Sequence, residues 1–317
     1  MISTDVVIVG GGPAGSTTAW KLRQADLDVM VLDKTAFPRL KLCAGWITPR
    51  VLKKLEIAEE DYPGGMVRFR TLHFHVYGVS IPVLTRQFSI RRIEFDNWLL
   101  DRAGLPVRQH QVRHIEREGD NFIVDGLFRC RWLVGAGGTN CPVYRVFFKG
   151  LRPREKRKQI VSMELEFQTD LLTEKCHLWF FRHGLPGYAW YVPKKNGWLN
   201  IGLGGSHQSM KAKGQDIREY WQLFTESLMK KKLLTALPPE PGACSYYLRQ
   251  DGPTVQDGRV LLAGDAAGLA TLDMGEGIGP AIESGLLAAE TIVQDVPLSF
   301  ESIPRYSLPG ILFPWKR

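Results

Sequence analysis

Apolar and polar positions along this chain change their period several times, and each change predicts a different element. Residues 6–9 read Val-Val-Ile-Val, a continuous apolar run of the kind that forms a buried strand. Three glycines follow, then helical spacing over 14–24 and a second strand pattern over 28–32. Strand, glycine turn, helix and strand in this order make a βαβ unit. Residues 35–65 read as loop and short helix, punctuated by Pro38, Pro49 and Pro63. Period-two alternation appears within 66–90, as in Leu72-His73-Phe74-His75-Val76, and 95–103 has helical spacing. Short strands are expected over 107–134, for example around Phe122 and Val124, running into Gly135-Ala136-Gly137-Gly138. Residues 160–205 are rich in aromatics and alternate like sheet strands, and 216–232 has helical spacing. Residues 255–265 return to a strand that ends at Gly264-Asp265, and 278–293 read as a helix.

These elements predict an α/β fold with a discontinuous Rossmann-type domain and an inserted, mainly antiparallel β-sheet domain. The Rossmann part is expected over 1–65, 91–150 and 251–297. The inserted substrate domain is expected over 66–90 and 151–250, with a C-terminal tail over 298–317.

Composition narrows the classes. The 317 residues are 44% hydrophobic and 23% charged, as in an ordinary globular protein. No apolar run is long enough to span a bilayer and no signal peptide is visible, so a cytoplasmic location is expected. Cys43, Cys130, Cys141, Cys176 and Cys244 lack CxxC pairing, which argues against a zinc site or a disulfide framework. His73 and His75 have the spacing of a metal pair on a strand. No third ligand is evident, so no metal is expected and surface histidines are the simpler reading. The net charge of +8 is dispersed apart from 152–158 and 230–232, so nucleic acid is not an expected partner. The tail over 307–317 is apolar and then basic, a pattern open to peripheral membrane contact or to plain packing.

The candidate chemistry lies at the two ends of the sequence. Gly10, Gly12 and Gly15 have GxGxxG spacing, and Pro13 and Ala14 open the helix whose free N–H groups and positive dipole end suit a pyrophosphate. Asp33, with Lys34 beside it, closes the second strand where a carboxylate binds ribose hydroxyls. This motif alone does not separate FAD from NAD. Far downstream, RVLLAGDAAGLATLDMGEGIG supplies Gly264 and Asp265 after a strand, then Gly275, Gly277 and Ile278. There a carboxylate can accept a ribityl hydroxyl. The glycines permit close approach, and the following helix points its N-terminus toward negative charge developing on a reduced flavin. The two segments together predict one FAD site built from both ends of the chain.

These segments resemble FAD-dependent enzymes of the aromatic-hydroxylase and geranylgeranyl-reductase superfamily. Arg92-Ile93-Glu94-Phe95-Asp96 resembles its R-x-x-F-D, which implies that Arg92 lies near the flavin phosphate or ribityl chain. Gly135-Ala136-Gly137-Gly138 falls where that superfamily reads G-A-D-G, and Gly137 replacing the aspartate puts direct NAD(P)H use in doubt. Two further segments are similar to the geranylgeranyl-reductase branch. Phe37-Pro38-Arg39-Leu40-Lys41-Leu42-Cys43-Ala44-Gly45 looks like F-P-R-x-K-x-C-G-G, and Tyr188-Ala189-Trp190-Tyr191-Val192-Pro193-Lys194 looks like Y-x-W-x-F-P-K. The resemblance covers most of 5–295. It implies that Arg39, Cys43, Ala44 and Gly45 border the cofactor, and that Cys43, Tyr188 and Trp190 serve catalysis.

Tyr188, Trp190 and Val192 alternate onto one strand face, and with Trp179 and Trp198 they are expected to line an apolar tunnel. The same residues also read as sheet packing, and Cys43 also reads as an inert thiol. The function implied is an FAD-dependent reductase of carbon–carbon double bonds in an isoprenoid or similar apolar substrate. Its electrons would come from NAD(P)H or a reduced carrier protein. Rival readings are an aromatic monooxygenase or halogenase-like enzyme, and a flavin-binding accessory protein without turnover.

Overall fold

The computed structural model describes residues 1–170, 173–250, 252 and 254–313. The chain runs β1 (Ile2–Val9), α1 (Pro13–Gln24), β2 (Val29–Asp33), β3 (Trp46–Ile47), α2 (Pro49–Lys54), β4 (Val67–Val76), β5 (Val79–Ser89) and α3 (Arg92–Ala103). It continues through β6 (Val107–Gln109), β7 (Ile115–Glu118), β8 (Asn121–Val124), β9 (Phe128–Gly135), β10 (Gln159–Gln168), β11 (Cys176–Phe180), β12 (Gly187–Pro193) and β13 (Trp198–Ser206). Then come α4 (His207–Ala212), α5 (Ile217–Lys230), β14 (Gly242–Tyr247), β15 (Gln256–Asp257), β16 (Val260–Leu262), α6 (Ile278–Gln294) and α7 (Leu308–Leu312).

The first compact unit comprises Met1–Leu40, Ile93–Arg154 and Tyr247–Tyr306. Its sheet has the order β15-β16-β9-β1-β2-β6, with β7 and β8 joined through β9. The pairs β1–β2, β1–β9, β9–β16 and β2–β6 are parallel. Val6, Val7 and Ile8 have no exposed surface, as a parallel strand covered on both faces requires. Helices α1 and α6 pack against each other at Gly285. A Cβ there would stand 2.5 Å from the Ala14 carbonyl oxygen, and the Thr18 hydroxyl donates to the Gly285 carbonyl at 3.1 Å. This contact joins the two ends of the sequence into one Rossmann-type unit.

The second unit comprises Lys41–Arg92, Glu155–Tyr246 and Ser307–Arg317. Its sheet has the order β14-β10-β13-β12-β11-β4-β5-β3; the pairs β10–β13, β12–β13, β11–β12, β4–β5 and β3–β5 are antiparallel, and β4–β11 is parallel. One face carries Met163, Trp179, Ala189, Tyr191, Ile201 and Leu203, covered by Tyr220, Trp221, Phe224 and Leu228 of α5. That helix is capped by the Asp216 side chain, which accepts the Arg218 N–H at 2.8 Å.

Three details differ from the sequence expectations. Residues 41–65 belong with the sheet unit, because Trp46-Ile47 pair with Phe88-Ser89 and α2 packs on β5. The stretch over 255–265 is a hairpin of β15 and β16 rather than one strand. The last twenty residues are not a single tail. Residues up to Tyr306 belong to the first unit, where the Arg249 guanidinium donates to the Phe300 and Ile303 carbonyls. From Ser307 the chain belongs to the second unit, where the Thr85 hydroxyl donates to the Ile311 carbonyl at 2.6 Å. The basic end of the tail, 314–317, lies outside the described residues. Among the described residues, no helix is long and apolar enough to cross a membrane.

Candidate functional site

In the Rossmann-type unit the chain turns at Gly10, whose φ is +112° and where a Cβ would stand 2.4 Å from the Ala136 carbonyl oxygen. A Cβ on Gly15 would lie 1.9 Å from the Gly10 carbonyl oxygen, so this turn tolerates only glycine at both positions. Pro13 opens α1 after Gly12, and no side chain caps that helix end. An uncapped N-terminus of a twelve-residue helix at a glycine turn is the donor set that a pyrophosphate requires.

Asp33 ends β2, almost fully buried. Its carboxylate accepts the Gly11 N–H at 2.8 Å and the Thr35 N–H at 3.0 Å. Arg39 lies between two carboxylates, 4.0 Å from Asp33 and 3.7 Å from the fully buried Asp96, over the Phe37 ring. The Lys34 side chain is exposed on the turn beyond Asp33. The Gly135–Ala136 corner is pinned by the Ala136 N–H to the Val9 carbonyl at 2.9 Å and the Ala263 N–H to the Gly135 carbonyl at 3.0 Å. A Cβ on Gly137 would stand 3.3 Å from the Cys141 Cα, so an aspartate at that position would crowd the next turn.

Gly264 adopts a φ of +61°, and its N–H is held by the Ser284 hydroxyl of α6 at 2.8 Å. Asp265 follows, with its Oδ1 3.3 Å from where a Gly277 Cβ would be. The turn before α6 is closed by Thr271. Its carbonyl accepts the Gly275 N–H at 3.0 Å, and its hydroxyl accepts the Glu276 N–H at 3.0 Å. Ile278 then opens α6, again without a side-chain cap. Carboxylates at Asp33 and Asp265 and two uncapped helix starts suit an adenine dinucleotide with a ribityl chain.

The remaining candidates, Cys43, Ala44, Gly45, Arg92, Tyr188 and Trp190, belong to the sheet unit. Strand register puts Phe74, Leu178, Phe180, Tyr188, Trp190, Asn200 and Gly202 on the face opposite α5. Phe74 meets Phe180 at 5.2 Å between ring centroids, Phe180 meets Tyr188 at 5.5 Å, and Tyr188 meets Trp190 at 5.8 Å. Trp198 shares this face and carries the Arg91 guanidinium 3.6 Å above its ring. Trp179 does not. It pairs with Ala189, points to the other face and packs on Phe224, so the expected tunnel wall loses that residue.

The aromatic row leads to a polar cluster. Trp190 donates its indole N–H to Asn200 Oδ1 at 2.7 Å, and the Asn200 amide reaches the Cys43 carbonyl at 3.4 Å. Lys194, only 2% exposed, donates to the Ala44 carbonyl at 2.7 Å and to the Ile90 carbonyl, and lies 3.5 Å from Glu166. Burial lowers its ammonium below the ordinary lysine range, and Glu166 pulls it back up. Gly45 has a φ of +65°, and a Cβ there would meet the Ile90 carbonyl oxygen and the Lys194 ammonium. The Gly45 N–H points to the Cys43 sulfur at 3.4 Å.

Glu164 lies beneath this loop. Burial pushes its carboxyl up to about 7, against the pull of Lys194, the Cys43 backbone N–H, Arg92 and Lys41. Sequence reasoning missed Glu164, Lys194 and Asn200 as working residues. The available signal was Ile201-Gly202-Leu203-Gly204, with glycines on the face where large residues were expected.

The strand histidines are half-buried rather than on the surface. His75 Nε2 lies 2.9 Å from His177 Nδ1, and His75 stacks on Trp179 at 5.0 Å. A cavity of about 310 Å³ opens beside them, lined in part by Tyr77, Phe181, Arg182 and Lys231. Burial and neighbouring cations lower His75 to about 4, and burial with the adjacent histidines lowers His177 to about 3.

Known proteins resemble this chain in part and along most of its length. A family profile described as an NAD(P)-binding Rossmann-like domain matches residues 8–42. An uncharacterized protein of Methanosarcina barkeri is 30% identical over 309 residues, covering 92% of this chain and 75% of that protein. Digeranylgeranylglycerophospholipid reductase 1 of Methanopyrus kandleri is 29% identical over 313 residues, covering 92% and 81%. The crystal structure of a geranylgeranyl bacteriochlorophyll reductase-like protein from Thermoplasma acidophilum superposes with a TM-score of 0.80 at 20% identity, covering 93% and 79%.

Proposed function

This chain belongs to the FAD-dependent geranylgeranyl reductase family and is an FAD-dependent oxidoreductase, and we propose that it reduces carbon–carbon double bonds of an isoprenoid or similarly apolar chain. The observation that carries this reading is the aromatic row from Phe74 to Trp190, which ends at the polar cluster around Cys43. A polyprenyl chain offers dispersion contacts and few polar handles, and such a row matches it.

FAD, when bound, supplies the hydride that one alkene carbon takes up. Gly10, Gly12 and Gly15 with the start of α1 would hold its pyrophosphate, Asp33 would bind its ribose, and Asp265 with the start of α6 would hold its ribityl and flavin end. Tyr188 and Trp190 orient the substrate, and the Cys43 thiol gives a proton to the other alkene carbon. Electrons enter from NAD(P)H or a reduced carrier protein. Apolar substrates of this kind reside in membranes, so peripheral contact with a lipid surface is part of the same proposal.

The test is an anaerobic flavin spectrum followed through reduction by NADPH or dithionite and then addition of a geranylgeranylated lipid. Reoxidation by the lipid without oxygen is the expected result. A flavin that stays reduced until oxygen enters, with substrate-dependent oxygen consumption, would support the monooxygenase or halogenase-like reading instead. A flavin that turns over under neither condition would leave a flavin-binding accessory protein.

A further inference from the structure

The cavity beside the strand histidines lies on the α5 side of the second sheet. Register puts His75 and Trp179 on the face opposite Tyr188 and Trp190, and Trp179 packs on Phe224 of α5. Arg182, His183 and Lys231 line the cavity, and no aspartate or glutamate is among the described residues that do. Two donors of its lining residues have no partner among the described residues. One is the indole N–H of Trp179, a residue only 3% exposed, and the other is the Arg182 Nε–H. The Arg182 guanidinium is anchored all the same, because its Nη2 donates to the Ser227 hydroxyl of α5. A buried donor left unpaired is costly, and folded proteins rarely keep one that nothing accepts.

The backbone around the cavity is also unusual. Tyr77, Phe181 and His183 line it with φ values of +48°, +54° and +53°. A bulky side chain is crowded in that left-handed region, and such strain concentrates at ligand clamps.

We propose that this cavity binds a phosphate or diphosphate group carried by a larger ligand. The Arg182 Nε–H and the Trp179 indole N–H donate to phosphate oxygens, and Lys231 and Arg182 supply the opposing charge. A planar guanidinium held by a neighbour is the donor that phosphate recognition favours. The volume of about 310 Å³ lies at the lower end of small-molecule pockets and leaves room beside a single phosphate. Tyr77 and Phe181 stack at 6.0 Å and are 84% and 49% exposed, so they offer an apolar rest for the organic part. The electrostatics agree. Burial and then the Lys231, His73 and Arg182 charges push His75 down, burial with Arg182 and Lys230 pushes His183 down, and no carboxylate offsets either. This site is separate from the flavin chemistry and does not depend on the alkene substrate.

The experiment is calorimetric titration of FAD-loaded protein with inorganic pyrophosphate, alongside sedimentation with phosphatidylcholine vesicles that contain or lack phosphatidic acid. Saturable binding is expected, weakened about three- to tenfold by each of Arg182→Gln, Lys231→Ala and Trp179→Phe. Trp179→Phe keeps an aromatic ring and removes only the donor. Lys211→Ala, exposed on α4, removes the same charge as Lys231→Ala and should bind as wild type. If Arg182→Gln does not fold, Lys231→Ala and Trp179→Phe carry the test. Pyrophosphate binding without added sedimentation on phosphatidic acid would support the site with a soluble phosphate ligand. Sedimentation that needs phosphatidic acid and weakens in the same variants would support it with a lipid headgroup. Saturable binding of neither probe, or equal binding by wild type and all the cavity variants, would overturn the proposal.

Discussion

The indole N–H of Trp190 donates to Asn200 Oδ1 at 2.7 Å, and the ring edge occupies the space where a Cβ on Gly202 would stand, 2.2 Å from Cζ2. A glycine is therefore part of the tryptophan's binding slot. Without it the ring would have to leave both its hydrogen bond and the sheet.

Gly202→Ala should be destabilising by about 1–3 kcal/mol, the usual range for overpacking a filled site. Urea denaturation followed by tryptophan fluorescence measures it. In a Trp190→Leu background the same substitution should cost markedly less, because the obstructing ring is gone. An equal cost in both backgrounds would mean that Trp190 is not what excludes the side chain.

Lys194→Met removes the donor to the Ala44 and Ile90 carbonyls and leaves Glu166 with Arg91. Removing one member of a buried ion pair typically costs about 3–5 kcal/mol. Part of that should appear locally, as faster amide hydrogen exchange in the loop carrying Cys43 to Gly45. The Ile90 N–H bond to the Gly45 carbonyl at 2.8 Å remains, so the loop should loosen rather than detach. Unchanged exchange in the loop would show that Lys194 does not hold it.

Asp33→Ala should weaken FAD binding about ten- to hundredfold, equivalent to about 1.5–3 kcal/mol for a charge-assisted bond. The carboxylate orders the Gly11 and Thr35 N–H groups as well as facing the ribose side of the turn. Titration by flavin fluorescence quenching reads this directly, and Lys34→Ala, an exposed neighbour, is the control expected to change little. Full-strength binding by the Asp33 variant would count against the Rossmann turn as the dinucleotide site.

The Rossmann half was legible in the sequence because local sterics dictate its residues. Gly10 and Gly15 cannot be anything else where the backbone of Ala136 and of Gly10 itself comes so close, and Val6 to Ile8 must be apolar to be covered on both faces. The polar cluster was not legible. Glu164, Lys194 and Asn200 meet through strand register, which depends on pairings between segments distant in sequence. The placement of 41–65 failed for a related reason. Its anchor to the second sheet is the two-residue strand Trp46–Ile47, too short to leave a periodicity. Trp179 was misassigned because proximity in sequence to Tyr188 says nothing about which face each residue takes, whereas pairing with Ala189 does.

The histidine stack predicts how stability depends on acid. His75 and His177 are lowered to about 4 and about 3 in the folded protein, against 6.5 for an ordinary histidine. Between those values and 6.5 the unfolded chain binds more protons than the folded one, so stability rises with pH across that window and falls on acidification. His177→Phe keeps a flat ring on Trp179 and cannot be protonated, so it should lose less melting temperature than wild type between pH 7 and pH 4.5. Pairing it with His75→Phe should flatten the profile further, since His75 is itself held at about 4 by burial and neighbouring cations. The measurement is Tm by differential scanning calorimetry at closely spaced pH values. Parallel profiles for wild type and both variants would place the acid sensitivity elsewhere in the molecule.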